Sequence, residues 1–201
     1  MTQELTLYWL SALVFVPAFG AGAVIFVRRY FPTFSDLTGV IFSGATLTIA
    51  LPYAVNPLQL ISDPISWIPF LGVSYVIGIE PLSGILIVWT ALSGLLAVCF
   101  YFGRSSRQIV FILALESAAI GLFVARDAFL FYSFFGLMWV LSNLLLGSQR
   151  KYLRFQGVGF SLLLVFFSCV YQMVYDQTGF LSTSFTRWQA IVLFPQEEIE
   201  L

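Results

Sequence analysis

The chain has 201 residues, 60% of them hydrophobic and 9% charged, with a net charge of −1 and a mean hydropathy of +0.95. A soluble domain carries about 25% charged residues. This chain therefore has too little polar surface to cover a water-soluble globule; it reads as an integral membrane protein, and its near-zero charge offers nucleic acid nothing to bind. It contains no histidine, which excludes Ser-His and Cys-His nucleophile pairs, HExxH zinc sites and His-ligated haem.

A spanning helix needs about 20 mostly apolar residues. The first predicted helix lies near 6–27 and is followed by Arg28 and Arg29. No basic stretch precedes it, so it does not read as a cleavable signal peptide. The second lies near 36–55. Residues 56–79, NPLQLISDPISWIPFLGVSYVIGI, carry three prolines among alternating apolar residues. They are expected to form an extended segment or hairpin on the outer face. The third helix is predicted near 80–102 and the fourth near 107–125. The fifth, near 128–148, is separated from the fourth only by Arg126 and Asp127, so the turn must be very tight. The sixth is predicted near 156–176. A tail follows over 177–201, with a run, RWQAIVLF, too short to span, and an acid cluster, Glu197, Glu198 and Glu200, read as a solvated end.

Basic residues set orientation. Seven of the nine, Arg28, Arg29, Arg104, Arg107, Arg150, Lys151 and Arg154, fall in the loops after helices one, three and five; Arg126 and Arg187 fall opposite. The expectation is an all-α, polytopic membrane protein of about six helices, one membrane domain over 1–201, with both termini on the outer face.

Candidate chemistry is sparse. An acid inside a bilayer costs about 2.5–3.5 kcal/mol on insertion scales and marks an ion or proton path by default. One acid is clearly intramembrane, Glu116 in FILALESAAIGLF. The other reading is a protonated or hydrogen-bonded glutamate that joins two helices. Glu80 and Asp127, at span boundaries, are further proton-path candidates, although a carboxylate opening helix three and a cap on helix five explain them more simply. Cys99 and Cys169 fall in apolar segments and are read as packing. Gly157-x-Gly159 lacks the strand and third glycine of a phosphate loop. Ala114/Ala118 and Ser117/Gly121 repeat small residues at the spacing that allows helices to approach. No cofactor or metal is expected in this chain.

The runs IGIEPLS, LALESAAIGLF, VARDAFLFY, FYSFFGLM and GSQRKY, in that order over residues 65–155, resemble the antiporter-like membrane subunits of complex I. The likeness is to the M/D-type, subunit 4-like members and their relatives in Mrp antiporters and membrane-bound hydrogenases. The resemblance implies a membrane-arm subunit of a proton-translocating NADH or ferredoxin:quinone oxidoreductase. Such a subunit is itself non-catalytic and lies in a bacterial inner membrane or an organelle's energy-transducing membrane. It implies other membrane subunits and lipid as partners. In that family a helix-five glutamate pairs with a helix-seven lysine; FYSFFGLM puts Gly136 where the glutamate is expected. Helix seven would begin where this sequence reads LFPQEEIEL. The expectation is a shortened or split subunit, structural rather than pumping, with a second chain carrying the remaining antiporter-like helices in the split case. The alternatives are a structural subunit of another respiratory or photosynthetic complex and a stand-alone oligomeric ion transporter.

Overall fold

The computed structural model of the chain describes residues 3–55, 60–62, 64–146, 150–179, 182–186 and 188. Six helices dominate it: α1 (Gln3–Tyr30), α2 (Ser35–Val55), α3 (Pro81–Tyr101), α4 (Ser106–Val124), α5 (Ala128–Leu146) and α6 (Arg150–Thr178). Each is long and apolar enough to cross a membrane. Two of them, α1 and α6, run clearly further than the apolar stretches that predict them. α6 starts at Arg150, six residues before the predicted span, because a helix continues past the hydrocarbon as long as its backbone bonds do.

All but the α2–α3 connection are short, so the helices they join run antiparallel. α1 packs on α2 and α4, α2 on α3, and α3 on α4, giving a four-helix bundle. α5 lies against α4, and α6 against α5. Half of the α4 span is buried, but 11% of the α5 span and 6% of the α6 span. α4 is therefore the central helix, and α5 and α6 form a flange whose far side is open.

Two layers of apolar side chains fill the bundle. One contains Val24 of α1, Val98 of α3 and Ile109, Ile112 and Leu113 of α4. The other contains Leu10, Leu13 and Val14 of α1, Ile87 of α3 and Ile120 and Val124 of α4. Glu116 lies between them in sequence and in space. Proline inside α1, at Pro17, removes one backbone hydrogen bond. The carbonyl it frees is that of Leu13; one residue on, the Ser117 hydroxyl donates to the Val14 carbonyl at 2.7 Å and ties α4 to α1.

The two ends of the bundle are tied differently. At the end bearing Arg28, Arg29, Arg104 and Arg107, Asp36 gathers the α1–α2 and α3–α4 connections. It accepts hydrogen bonds from the Gly103 amide (2.8 Å) and from the hydroxyls of Ser106 (2.6 Å) and Ser35 (3.2 Å). Gly103 adopts a left-handed φ of 71°, which aims that amide at Asp36.

At the other end the segment between α2 and α3 folds into two nested antiparallel pairs. β1 (Leu60–Ile61) pairs with β4 (Gly78–Ile79), and β2 (Ile65–Ile68) with β3 (Val73–Tyr75). A 3-10 turn, Pro69–Leu71, closes the inner hairpin, with Gly72 in the left-handed conformation at φ 65°. The prolines and alternation of 56–79 are the cause of this extended form. Residues 56–59, Asp63, Arg187 and everything from 189, including Glu197, Glu198 and Glu200, lie outside the described residues.

Candidate functional site

Glu116 sits near the middle of α4, about 15 Å along the helix from Ser106. It is 3% exposed. Its Oε2 accepts a hydrogen bond from the Ser43 hydroxyl of α2 at 3.0 Å. Its Oε1 has no hydrogen-bond partner among the described residues. A carboxylate can accept at about four lone-pair sites, and this pocket supplies one donor.

The third wall is Gly94 of α3. A Cβ built there would stand 2.5 Å from Glu116 Oε2 and 2.7 Å from its carboxyl carbon. Glycine at 94 is therefore what lets the carboxyl fit between α2, α3 and α4. Ser43 belongs to a face of α2 made of small and hydroxylic residues, Ser35, Gly39, Ser43, Thr46 and Ala50, all buried. That three-and-four spacing is present in the sequence and is the signal from which Ser43 is recoverable. Thr46 does not extend the Glu116 network; its hydroxyl returns to the Phe42 carbonyl of its own helix.

Gly136 lies elsewhere. A Cβ at this position would meet the ring of Phe160 on α6, with Cε2 at 3.1 Å and Cζ at 3.3 Å. That ring also stacks on Tyr132 (centroids 4.3 Å), Trp139 (5.5 Å) and Phe135 (6.0 Å). Glu116 faces α2 and α3, whereas position 136 faces α6. An acid at 136 would enter an aromatic stack and not the Glu116 pocket.

Glu80 and Asp127 stand together at the hairpin end. Glu80 precedes Pro81, which occupies the first position of α3, where its missing N–H costs nothing. The Glu80 amide donates to the Ser83 hydroxyl at 2.8 Å. Its carboxylate pairs with the Arg126 guanidinium at 2.7 Å. Asp127 is fully buried. Its Oδ1 accepts from the amides of Phe129 (2.9 Å) and Leu130 (3.4 Å), capping α5. Its Oδ2 accepts from the Ser74 amide of β3 at 3.3 Å and from the Thr183 hydroxyl. One side chain thus joins the hairpin, the start of α5 and the segment after α6. Thr183 also donates its amide to the Gly72 carbonyl at 3.4 Å. Neither Asp36 nor Thr183 is singled out by the sequence, because Gly103 and Ser106 lie 67 and 70 residues from Asp36, and Asp127 and Gly72 lie 56 and 111 residues from Thr183.

The other polar residues of the spans do not converge. The hydroxyls of Ser133 and Ser168 bond to carbonyls of their own helices, and Gln172 bonds to Asp176. Among the described residues no group of His, Cys, Asp and Glu is placed to hold a metal. Cys99 and Cys169 are free and exposed on the bundle's outer surface.

No protein-family model matches the chain. It is 29% identical over 157 residues to F(420)H(2) dehydrogenase subunit M of Methanosarcina mazei, covering 73% of this chain and 32% of that protein. It is 31% identical over 150 residues to NAD(P)H-quinone oxidoreductase chain 4 of Synechococcus sp. (strain CC9311), covering 69% of this chain and 26% of that protein. A solved structure, the membrane-bound sulfane sulfur reductase, an archaeal respiratory membrane complex, contains a chain that matches with a TM-score of 0.67 at 20% identity. That match covers 92% of this chain and 31% of the other. At that identity it establishes the fold. These findings make the chain a multi-pass membrane protein homologous to antiporter-like subunits of complex I-type enzymes. It spans about a quarter to a third of the length of the curated relatives it matches.

The Glu116 pocket yields a direct test. Gly94→Ala forces a methyl against the carboxyl, and overpacking of this kind costs about 1–3 kcal/mol. The double variant Gly94→Ala, Glu116→Ala is expected to recover part of that loss, with a coupling of at least about 0.5 kcal/mol in thermal unfolding of the detergent-solubilised protein. Additive effects would show that the two residues do not touch.

Proposed function

We propose that this chain is a structural component of the membrane arm of a complex I-like respiratory oxidoreductase and carries no proton-transfer step of its own. The observation that carries this reading is the Phe160 ring seated on Gly136 and stacked against Tyr132 and Trp139. The resemblance puts the pump acid of helix five at this position, and a glycine cannot titrate. The polar atoms of the stack, the Tyr132 hydroxyl and the Trp139 Nε1, have no hydrogen-bond partner among the described residues and so form no chain along which a proton could pass.

Glu116 fits the same reading. Apolar layers lie on both sides of it along α4, and Ser43 is its hydrogen-bond donor. Intramembrane acids that serve transport line a polar or water-filled route. Here the carboxyl joins α2 to α4 across Gly94. Lys151 is the single lysine of the sequence and falls outside every span, so no intramembrane Lys–Glu pair can form within residues 1–201. The remaining two-thirds or more of the relatives' length has no counterpart in this sequence. We read the open faces of α5 and α6 as the side on which further antiporter-like helices pack. The end with Arg28, Arg29, Arg104 and Arg107 is the cytoplasmic, stromal or matrix side on the positive-inside rule.

Two measurements test this. Glu116→Gln, introduced in the native membrane, is expected to leave coupled proton transport nearly unchanged; a large loss of transport with intact assembly would contradict a structural role. Native purification in mild detergent is expected to bring down iron–sulfur subunits and further antiporter-like membrane helices. A homo-oligomer free of such subunits would overturn the assignment to an oxidoreductase and favour a stand-alone transporter.

A further inference from the structure

The turn between α4 and α5 opens onto a groove that neither the Glu116 pocket nor the Asp127 cluster occupies. α6 packs on α5 rather than on the four-helix bundle, leaving a cleft of about 830 Å³ beside α4. Leu122 and Phe123 of α4 and Phe166 and Val170 of α6 line it, together with Phe131 of α5 and Phe167 of α6, whose rings meet edge to face with centroids 5.9 Å apart. Among the described residues the charged groups lining it are Arg126 and Glu80, in contact at 2.7 Å at its mouth. Their side chains are 19% and 46% exposed, so both reach solvent or a headgroup layer.

The depth of the groove limits what it can hold. The α6 span ends at Gln177, and Phe166 lies about 16 Å further along the helix axis. That is half of a hydrocarbon core of about 30 Å, the depth of one leaflet. A partner transmembrane helix would need a groove along the full thickness.

The charges at the mouth narrow the occupant further. Arg126 offers a guanidinium suited to a phosphate diester. Glu80 offers an acceptor for an ammonium. A headgroup of net negative charge would meet Arg126 but be repelled by Glu80; a headgroup with phosphate and amine matches both. We propose that this groove binds a phospholipid with an amine-bearing zwitterionic headgroup, its phosphate on Arg126, its amine on Glu80 and one hydrocarbon chain against Phe131, Phe167 and Val170.

The test uses the natively purified assembly, stripped of lipid in detergent and given back either dioleoyl-phosphatidylethanolamine or dioleoyl-phosphatidylglycerol. Bound lipid is counted by native mass spectrometry. The wild type is expected to retain phosphatidylethanolamine about tenfold better than Arg126→Gln, the loss that follows removal of one charge-assisted contact. Val170→Trp, which fills the groove without touching the ion pair, is expected to lose retention as well. Undiminished retention by Val170→Trp would overturn the site, and equal retention of the two lipids would overturn its headgroup. A benzophenone side chain placed at 170 should cross-link to lipid on illumination; a cross-link to a membrane polypeptide would contradict the proposal.

Discussion

Helices inside a bilayer gain no stability from hiding apolar surface from water, because lipid tails are as apolar as leucine. They associate where backbones approach closely and where a polar group finds a partner on another helix. The contact of Glu116 with Ser43 across Gly94 meets both conditions at one point. It lies between the two apolar layers of the bundle and touches three of its four helices. The fourth, α1, is held one residue further on, where Ser117 bonds to Val14. A bulkier residue at 94 or an apolar one at 43 would remove this point while leaving the six membrane-length apolar spans in place.

The same use of glycine recurs at the flange with a different result. A Cβ at Gly121 would stand 2.5 Å from the Phe134 ring, which brings α5 against α4. At Gly136 the neighbour is Phe160, which brings α6 against α5. Each glycine takes up an aromatic ring from the next helix, so the sequence of helices α4, α5 and α6 is held by ring-in-notch packing rather than by ion pairs. Charge is confined to the ends, where Asp36 ties one set of connections and Asp127 the other. In this arrangement polar chemistry fixes the ends of the helices, and a single buried carboxyl fixes their middle.

How much of this was legible in the sequence follows from how local each feature is. The six helices were, since apolar runs of membrane length have few other outcomes. Their ends were less so: α1 continues to Tyr30 and α6 begins at Arg150, because hydropathy ends at the first charge and a helix does not. The extended segment before α3 was legible from its prolines. The amides that Asp127 caps lie two and three residues away, within reach of a local reading. Ser74 and Thr183, which bond to the same carboxylate, lie 53 and 56 residues away and were not. Glu116 stood out as an acid in an apolar run, but Ser43 and Gly94 could be matched to it only once the helices were side by side. The resemblance leads one to expect a glutamate where Gly136 stands. That a particular ring, Phe160, fills the space depends on the rotation of α6, which a helix apolar on most of its faces leaves open.

The central claim is that helix five is a packed surface and not part of an aqueous route. Its most direct measurement is the access of water to position 136. In a background with Cys99 and Cys169 replaced by alanine, Gly136→Cys places one thiol beneath the Phe160 ring. In the intact membrane assembly, a small membrane-impermeant maleimide applied to either side is expected to leave that thiol unmodified until detergent denaturation exposes it. Rapid modification from either side of the folded assembly would reveal a water-filled path through helix five and contradict the account.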